Sequence, residues 1–105
     1  MTAGTVGDAS WGWSSVAGSI AECTGRRRCS LVATVAAVAL RYHHGPCVEV
    51  TVDDRTGTLV ARFLGRDTVP GFHAGVGVAL QGTVIDEWGT LVVLNPTYQF
   101  TRRHA

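Results

Sequence analysis

From residue 30 onward, apolar side chains recur at every second position along most of the chain. That period belongs to strands, because successive side chains of a strand point to opposite faces. The pattern predicts five β segments. The first is expected from about Ser30 to Tyr42, where Leu31, Ala33 and Val35 share one parity and Val38, Leu40 and Tyr42 the other. One extra residue converts such a switch into a single continuous face, so a β-bulge is expected near Ala36-Ala37. After a His43-His44-Gly45-Pro46 turn, the second segment (Cys47 to Asp53) alternates Val48, Val50 and Val52 with Glu49 and Thr51. Asp54-Arg55-Thr56-Gly57 reads as a hairpin connection to the third, Thr58 to Leu64, with Leu59, Ala61 and Phe63 inward and Arg62 opposite. The fourth is expected over Val76 to Ile85, with Val78, Leu80 and Val84 inward. Asp86-Glu87-Trp88-Gly89 then turns into a fifth, Thr90 to Asn95, which Pro96 interrupts.

The remaining segments are connectors. Gly65 to Gly75 reads as an irregular stretch holding one helical turn at Val69-Pro70-Gly71-Phe72, and Ser19 to Thr24 as a helical turn or an entry segment, with Ile20 pinned against the strands. Residues 1–18 are rich in Gly, Ser, Thr and Ala and are expected to be flexible or loosely docked through Trp11 and Trp13. The domain proper then runs from 19 to 105. Phe63 belongs to the predicted core, while Tyr98 and Phe100 are expected to close an open barrel end. Five short antiparallel strands with the longest connector between the third and fourth predict an all-β, five-stranded Greek-key barrel of the oligonucleotide/oligosaccharide-binding (OB) type. An SH3-like barrel shares the strand count.

A chain of 105 residues fits one domain. Such a domain buries only about two-thirds of its unfolded surface, so nearly every inward strand position is needed for the core. The hydrophobic share of 46% excludes general disorder. Arg26-Arg27-Arg28 ahead of Leu31 to Leu40 looks like a signal core. As a helix those ten residues would span about 15 Å, half of a hydrocarbon layer of about 30 Å, and their β-branching favours a strand. The N-terminus shows neither the basic start nor the continuous apolar run of a secretory signal. Cys23, Cys29 and Cys47 are odd in number and lack a CxxC pair. They are expected to be free thiols in a reducing cytoplasm, with no disulfide framework and no structural zinc.

Net charge is +1, so no long-range field points to nucleic acid or to an acidic membrane. The distribution adds something. All nine cations are arginines, and from Arg26 onward they outnumber the six carboxylates Glu49, Asp53, Asp54, Asp67, Asp86 and Glu87.

Two stretches carry a family resemblance. One is Val48-Glu-Val-Thr-Val-Asp-Asp-Arg-Thr-Gly-Thr-Leu-Val-Ala-Arg-Phe-Leu-Gly-Arg66, followed by Pro70-Gly71-Phe72 and Gly75. The other comprises Gln81-Gly82-Thr83-Val84, Gly89 and Leu94-Asn95-Pro96-Thr97-Tyr98. Together, over roughly Ser19 to Phe100, they resemble the short stand-alone OB-fold nucleic-acid-binding proteins of actinobacteria. Those in turn look like distant relatives of the wedge domain of branch-migration helicases and of anticodon-binding domains of some tRNA synthetases. The departures are two arginine-poor stretches, Val76 to Gln81 in the fourth strand and Asp67-Thr68 after Leu-Gly-Arg, and Ala33 where similar proteins often place Gly. The resemblance implies a ligand surface on the second and third strands, flanked by the first and fourth hairpin loops.

Binding a single strand needs cations near its backbone and aromatic faces for its bases. The sequence supplies Arg41, Tyr42, His43 and His44 at the first loop, Arg55, Arg62 and Arg66 around the third strand, and Trp88 in the fourth loop. Arg62 is expected to reach solvent, whereas Glu49, Asp53 and Asp54 would repel phosphate. His43-His44 beside Cys47 makes a poor metal site, since adjacent histidines diverge in extended chain and no fourth ligand is evident. Arg26 to Arg28 reads as a solvated strand start sooner than as a phosphate clamp. No nucleophile elbow, phosphate loop or dinucleotide fingerprint occurs, so neither catalysis nor a cofactor is expected. Two readings remain. One is a cytoplasmic, non-catalytic module for single-stranded DNA or RNA with low sequence preference. The other is a protein-interaction barrel with little affinity for nucleic acid, contacting a partner or a second copy through Trp11 and Trp13. Neither involves a membrane.

Overall fold

The computed structural model describes residues 18–23, 26–42 and 44–101. The expectations for Trp11, Trp13 and His43, and for flexibility of the N-terminal segment up to residue 17, lie outside these residues. A short 3-10 turn, Ile20–Glu22, is followed by β1 (Arg27–Tyr42), β2 (Pro46–Asp53), β3 (Thr58–Leu64), β4 (Gly77–Glu87), β5 (Thr90–Leu94) and β6 (Thr97–Phe100). Leu31 to Leu40 is strand throughout. No helix among the described residues is long and apolar enough to cross a membrane.

β1 is long enough to pair twice. Its first half, Arg27 to Thr34, runs antiparallel to β4, and its second half, from Thr34 to Tyr42, runs antiparallel to β2. Between them the register slips at Val35/Ala37, which places the expected bulge at Ala36. A bulge bends the strand and raises its twist, and that bend lets one strand serve both walls of a small barrel. β2 pairs with β3, β3 runs parallel to β5, and β5 pairs with β4, closing a ring of five strands.

The ring encloses the predicted inward residues. Leu31, Val35, Val50, Val52, Leu59, Val78, Leu80 and Val84 are each at most 2% exposed. Each such side chain contributes about 1.5–3 kcal/mol by leaving water. The second parity set of β1 behaves differently. Val38 and Leu40 face the same side as Val50 and Val48, yet they are 43% and 47% exposed because the β1–β2 hairpin runs on past the closed ring.

The tail after Pro96 does more than cover an open end. Thr97–Phe100 forms a sixth strand on β4, outside the ring. It carries Tyr98 and Phe100 against Phe72 and Phe63, with ring centroids 4.9–5.7 Å apart in tilted and edge-on pairs. The helical turn expected at Val69 to Phe72 is absent. Gly71 sits at φ +91°, which no right-handed helical turn accommodates, so the segment makes a sharp turn that buries Val69 and Phe72 instead.

The Asp-Arg-Thr-Gly hairpin, the most distinctive part of the resemblance, works as a clamp. Asp54 Oδ2 accepts from the Ile20 N–H at 2.9 Å, and Thr56 Oγ1 accepts from the Ala21 N–H at 3.0 Å. Asp54 Oδ1 in turn accepts from the Thr56 N–H and hydroxyl, and Asp53 Oδ1 from the Arg55 N–H. Partial burial works against the charge on Asp54. The hydrogen bonds from Thr56, Ile20 and Gly57 outweigh it and hold the carboxyl below its usual pKa. Ile20, gripped in this way, is 1% exposed.

The cysteine expectation is corrected. Cys23 and Cys29 form a disulfide across a Cα–Cα distance of 6.4 Å, and Cys47 alone is free and buried. Counting an odd number without CxxC spacing missed the pair, because neither count nor spacing shows that Cys23 lies beside the start of β1. The free-thiol premise for a reducing cytoplasm therefore does not hold for two of the three.

Candidate nucleic-acid interface

Arg41, Glu49, Thr51, Val60, Arg62, Leu64, Ile85, Glu87 and Leu94 share the outward parity of β1, β2, β3, β4 and β5. At one end of β3 lies the β1–β2 turn, held by a hydrogen bond from the Gly65 N–H to the Pro46 carbonyl. At the other end the β2–β3 turn and the β4–β5 turn line one cleft through Thr56, Gly57, Gly89 and Thr90. The six steps from Thr58 to Leu64 separate these ends by about 20 Å.

The centre of the face is a closed ion-pair network. Arg62 Nε donates to Glu49 Oε2 at 2.9 Å, while Nη1 and Nη2 donate to the two oxygens of Glu87 at 3.1 and 3.0 Å. Arg41 Nε stands 3.5 Å from the other oxygen of Glu49. The Glu87 hydrogen bonds, reinforced by Glu49 and opposed by partial burial, push the Arg62 pKa further above its ordinary value. The guanidinium is thus held rather than presented to solvent as expected, with only 20% of its side chain exposed. Register places Val92 between Val60 and Ile85, beneath the reach of Arg62 to Glu87, and it is fully buried although it faces outward.

Beside the network a groove of about 540 Å³ opens between His44, Pro46, Leu64, Gly65 and Leu94. Leu64 and Leu94 are 46% and 44% exposed, so the groove floor is apolar. Tyr42, 70% exposed, ends β1 near this groove but shares the parity of Val38 and Leu40, opposite to Arg41. On the far side Trp88 is 99% exposed. It shares a two-residue hairpin turn with Gly89, both at positive φ (+56° and +92°), and Asp86 Oδ1 accepts the Gly89 N–H at 2.7 Å.

Among the solved structures similar to this chain is one from a replication protein A heterotrimer bound to single-stranded DNA. The TM-score is 0.57, with 19% identity over 71% of this chain and 57% of that one. The barrel is an OB fold. The chain spans a little over half the length of that neighbour, and the likeness is one of fold. No known protein family matches the sequence, and neither does any curated protein.

The OB barrel brings some of the predicted residues together and separates others. His44 and Arg62 line one groove, and Arg41 joins Arg62 through Glu49. Arg66 is exposed just past β3, on the side of the first hairpin. Arg55 sits at φ +76° in the clamp at the opposite end, within the turn that holds Ile20. Two residues central to the face, Glu49 and Glu87, were read from the sequence only as a phosphate-repelling acid and as part of a turn. Glu49 faces Arg62 by hairpin symmetry, so that pair is legible from the β2–β3 turn alone. Glu87 arrives through the parallel β3–β5 pairing and the next hairpin, which no local pattern announces.

Proposed function

We propose that the chain is a non-catalytic OB module that binds single-stranded DNA or RNA with little sequence preference, across the outer face of β3 between the two hairpin tips. Trp88 carries this reading. A fully exposed indole at positive φ costs stability twice: once in hydration of a large apolar surface, and once in backbone energy, about 1 kcal/mol or more for a bulky residue. A two-residue turn of this kind is best made by Asn-Gly. Nothing among the described contacts uses the indole, so its placement suits stacking on a ligand, worth about 1–3 kcal/mol per base. The apolar floor at Leu64 and Leu94 suits the same ligand. The likeness to a chain solved on single-stranded DNA supports the reading at the level of fold.

The test is a fluorescence-anisotropy titration of labelled single-stranded DNA and RNA at two salt concentrations, with Trp88→Ala alongside. Affinity at low salt that falls by about 5- to 150-fold in the variant supports the reading. Absence of binding at low salt, or binding indifferent to Trp88, overturns it.

A second reading has its own observation. The face is electrically self-neutralised, while Val38, Leu40 and Tyr42 form an exposed apolar stripe on the hairpin beyond the ring. That combination suits a protein partner. Concentration-dependent size in scattering, abolished by Leu40→Ser without loss of oligonucleotide binding, favours it.

A further inference from the structure

A second groove, of about 440 Å³, crosses the outer surface of β4 and involves none of the residues placed in the interface except Leu94 and Ile85. Arg26, Arg28, Thr83, Asn95 and Thr97 supply its polar groups with capacity to spare, and no carboxylate lines it. Arg28 stands opposite Thr83 in the β1–β4 register. Arg26 and Arg28 are exposed and take part in none of the ion pairs among the described residues, in contrast to Arg62 and Arg41. Asn95 is oriented by its own backbone. It sits at φ +46°, its N–H donates to the Arg62 carbonyl, and its Oδ1 accepts from the Leu64 N–H at 2.9 Å. One lone pair of the amide oxygen is so occupied, and the NH₂ group remains as a donor. Two guanidinium groups, an amide NH₂ and two exposed hydroxyls therefore converge without an acid among them. That is a surface for an anion. It meets the first groove at Leu94, which lines both.

We infer that this second groove is a phosphodiester-binding subsite, which takes the backbone of a strand after its bases have crossed the face between the hairpins. The inference rests on the nucleic-acid reading above and adds a route to it. Over the β2–β3 face the cations are spent on Glu49 and Glu87, so the face offers stacking and apolar contact with little net charge. The charge that holds a phosphate backbone lies one strand further round the barrel, on β1 and β4. Base contact and backbone contact are thereby divided between two adjoining grooves.

The experiment compares the full chain with Arg26→Gln/Arg28→Gln, Arg27→Gln and Trp88→Ala, using oligothymidylates of about four and about sixteen nucleotides, the span of sites known for OB folds. The slope of log affinity against log salt is read for each, with thermal melts to confirm folding. Releasing two phosphate contacts makes that slope shallower by about 1.4 for a single strand. The double variant is expected to show this change on the long oligonucleotide and none on the short one. Arg27→Gln makes the same kind of charge change on the other face of β1 and is expected to leave the slope unaltered. Trp88→Ala is expected to weaken both lengths at constant slope. A wild-type slope in the double variant, with Trp88→Ala still weakening binding, overturns the subsite and leaves the interface standing. A shallower slope with no effect of Trp88→Ala leaves the subsite standing and removes the interface. Wild-type protein that binds neither length at low salt removes both.

Discussion

Replacing Glu87 by Gln should strengthen the binding of single-stranded nucleic acid, although it removes part of a salt bridge. Arg41 and Arg62 on the face are matched by Glu49 and Glu87, so the four charges cancel. Glu87→Gln leaves one positive charge and keeps a side-chain oxygen to accept from Arg62. A phosphate lying about 6 Å from the lost carboxylate is relieved of about 0.7 kcal/mol of repulsion at the dielectric of water, and about twice that at half the dielectric. At about 1.4 kcal/mol per factor of ten, affinity should rise by about 3- to 10-fold. The salt slope should steepen by about 0.7, the mark of one more phosphate contact on a single strand. The cost to the fold is small, because Glu87 is 42% exposed and exposed pairs contribute about 0.2–1 kcal/mol. A melting point lower by a few degrees follows for a domain of this size. Anisotropy of a labelled oligothymidylate at two salt concentrations, beside a thermal melt, measures all three quantities. Unchanged or weaker binding by a variant that melts normally would refute the argument that the face is held neutral by its own acids.

Four further outcomes follow from the same structure. Trp88→Asn removes a strained, exposed indole and supplies the residue this turn prefers, so the variant should melt at or above the wild-type temperature while losing oligonucleotide affinity. Asp54→Asn should cost about 1–2 kcal/mol in chemical denaturation by weakening the grip on Ile20 and Thr56. The folded pKa of Asp54 lies below the ordinary carboxylate value of 3.8, so its carboxylate contributes stability above that pH and loses it as pH falls through the folded value. Wild type should therefore lose stability below about pH 4 more steeply than Asp54→Asn, and parallel acid titrations would contradict the assignment. Gly71→Ala brings a new Cβ within 2.7 Å of the Phe100 ring at a φ of +91°, and a loss of about 1–3 kcal/mol is expected by denaturant titration. Cys23→Ala/Cys29→Ala opens a covalent loop with a sequence separation of 6. The chain-entropy relation puts the loss at about 2 kcal/mol, and an unchanged denaturation midpoint would contradict a stapling role.

Most of the barrel wall was readable in the sequence, because a strand's alternation is a local record of which side faces the core. β3 has the boundaries that its pattern implies, and Val48, Val50, Val52, Leu59, Val78, Leu80 and Val84 point where parity sends them. The bulge at Ala36 was readable for the same reason, since a parity switch within one strand has few other causes. Hairpin symmetry across the Asp54–Gly57 turn also sets Glu49 opposite Arg62, a pairing the alternation pattern contains although the solvent-facing expectation for Arg62 overlooked it. Only tertiary structure decided what closes the ring and what those charges do. The parallel β3–β5 pairing joins segments separated by the whole Gly65–Gly75 connector, and it brings Glu87 onto Arg62. Neither the Cys23–Cys29 pair nor the grip of Asp54 on Ile20 leaves a periodic trace, because each depends on where the chain returns and not on how it alternates. The candidate surface is of this second kind: its charge balance is set by neighbours distant along the chain, which composition counts but cannot place.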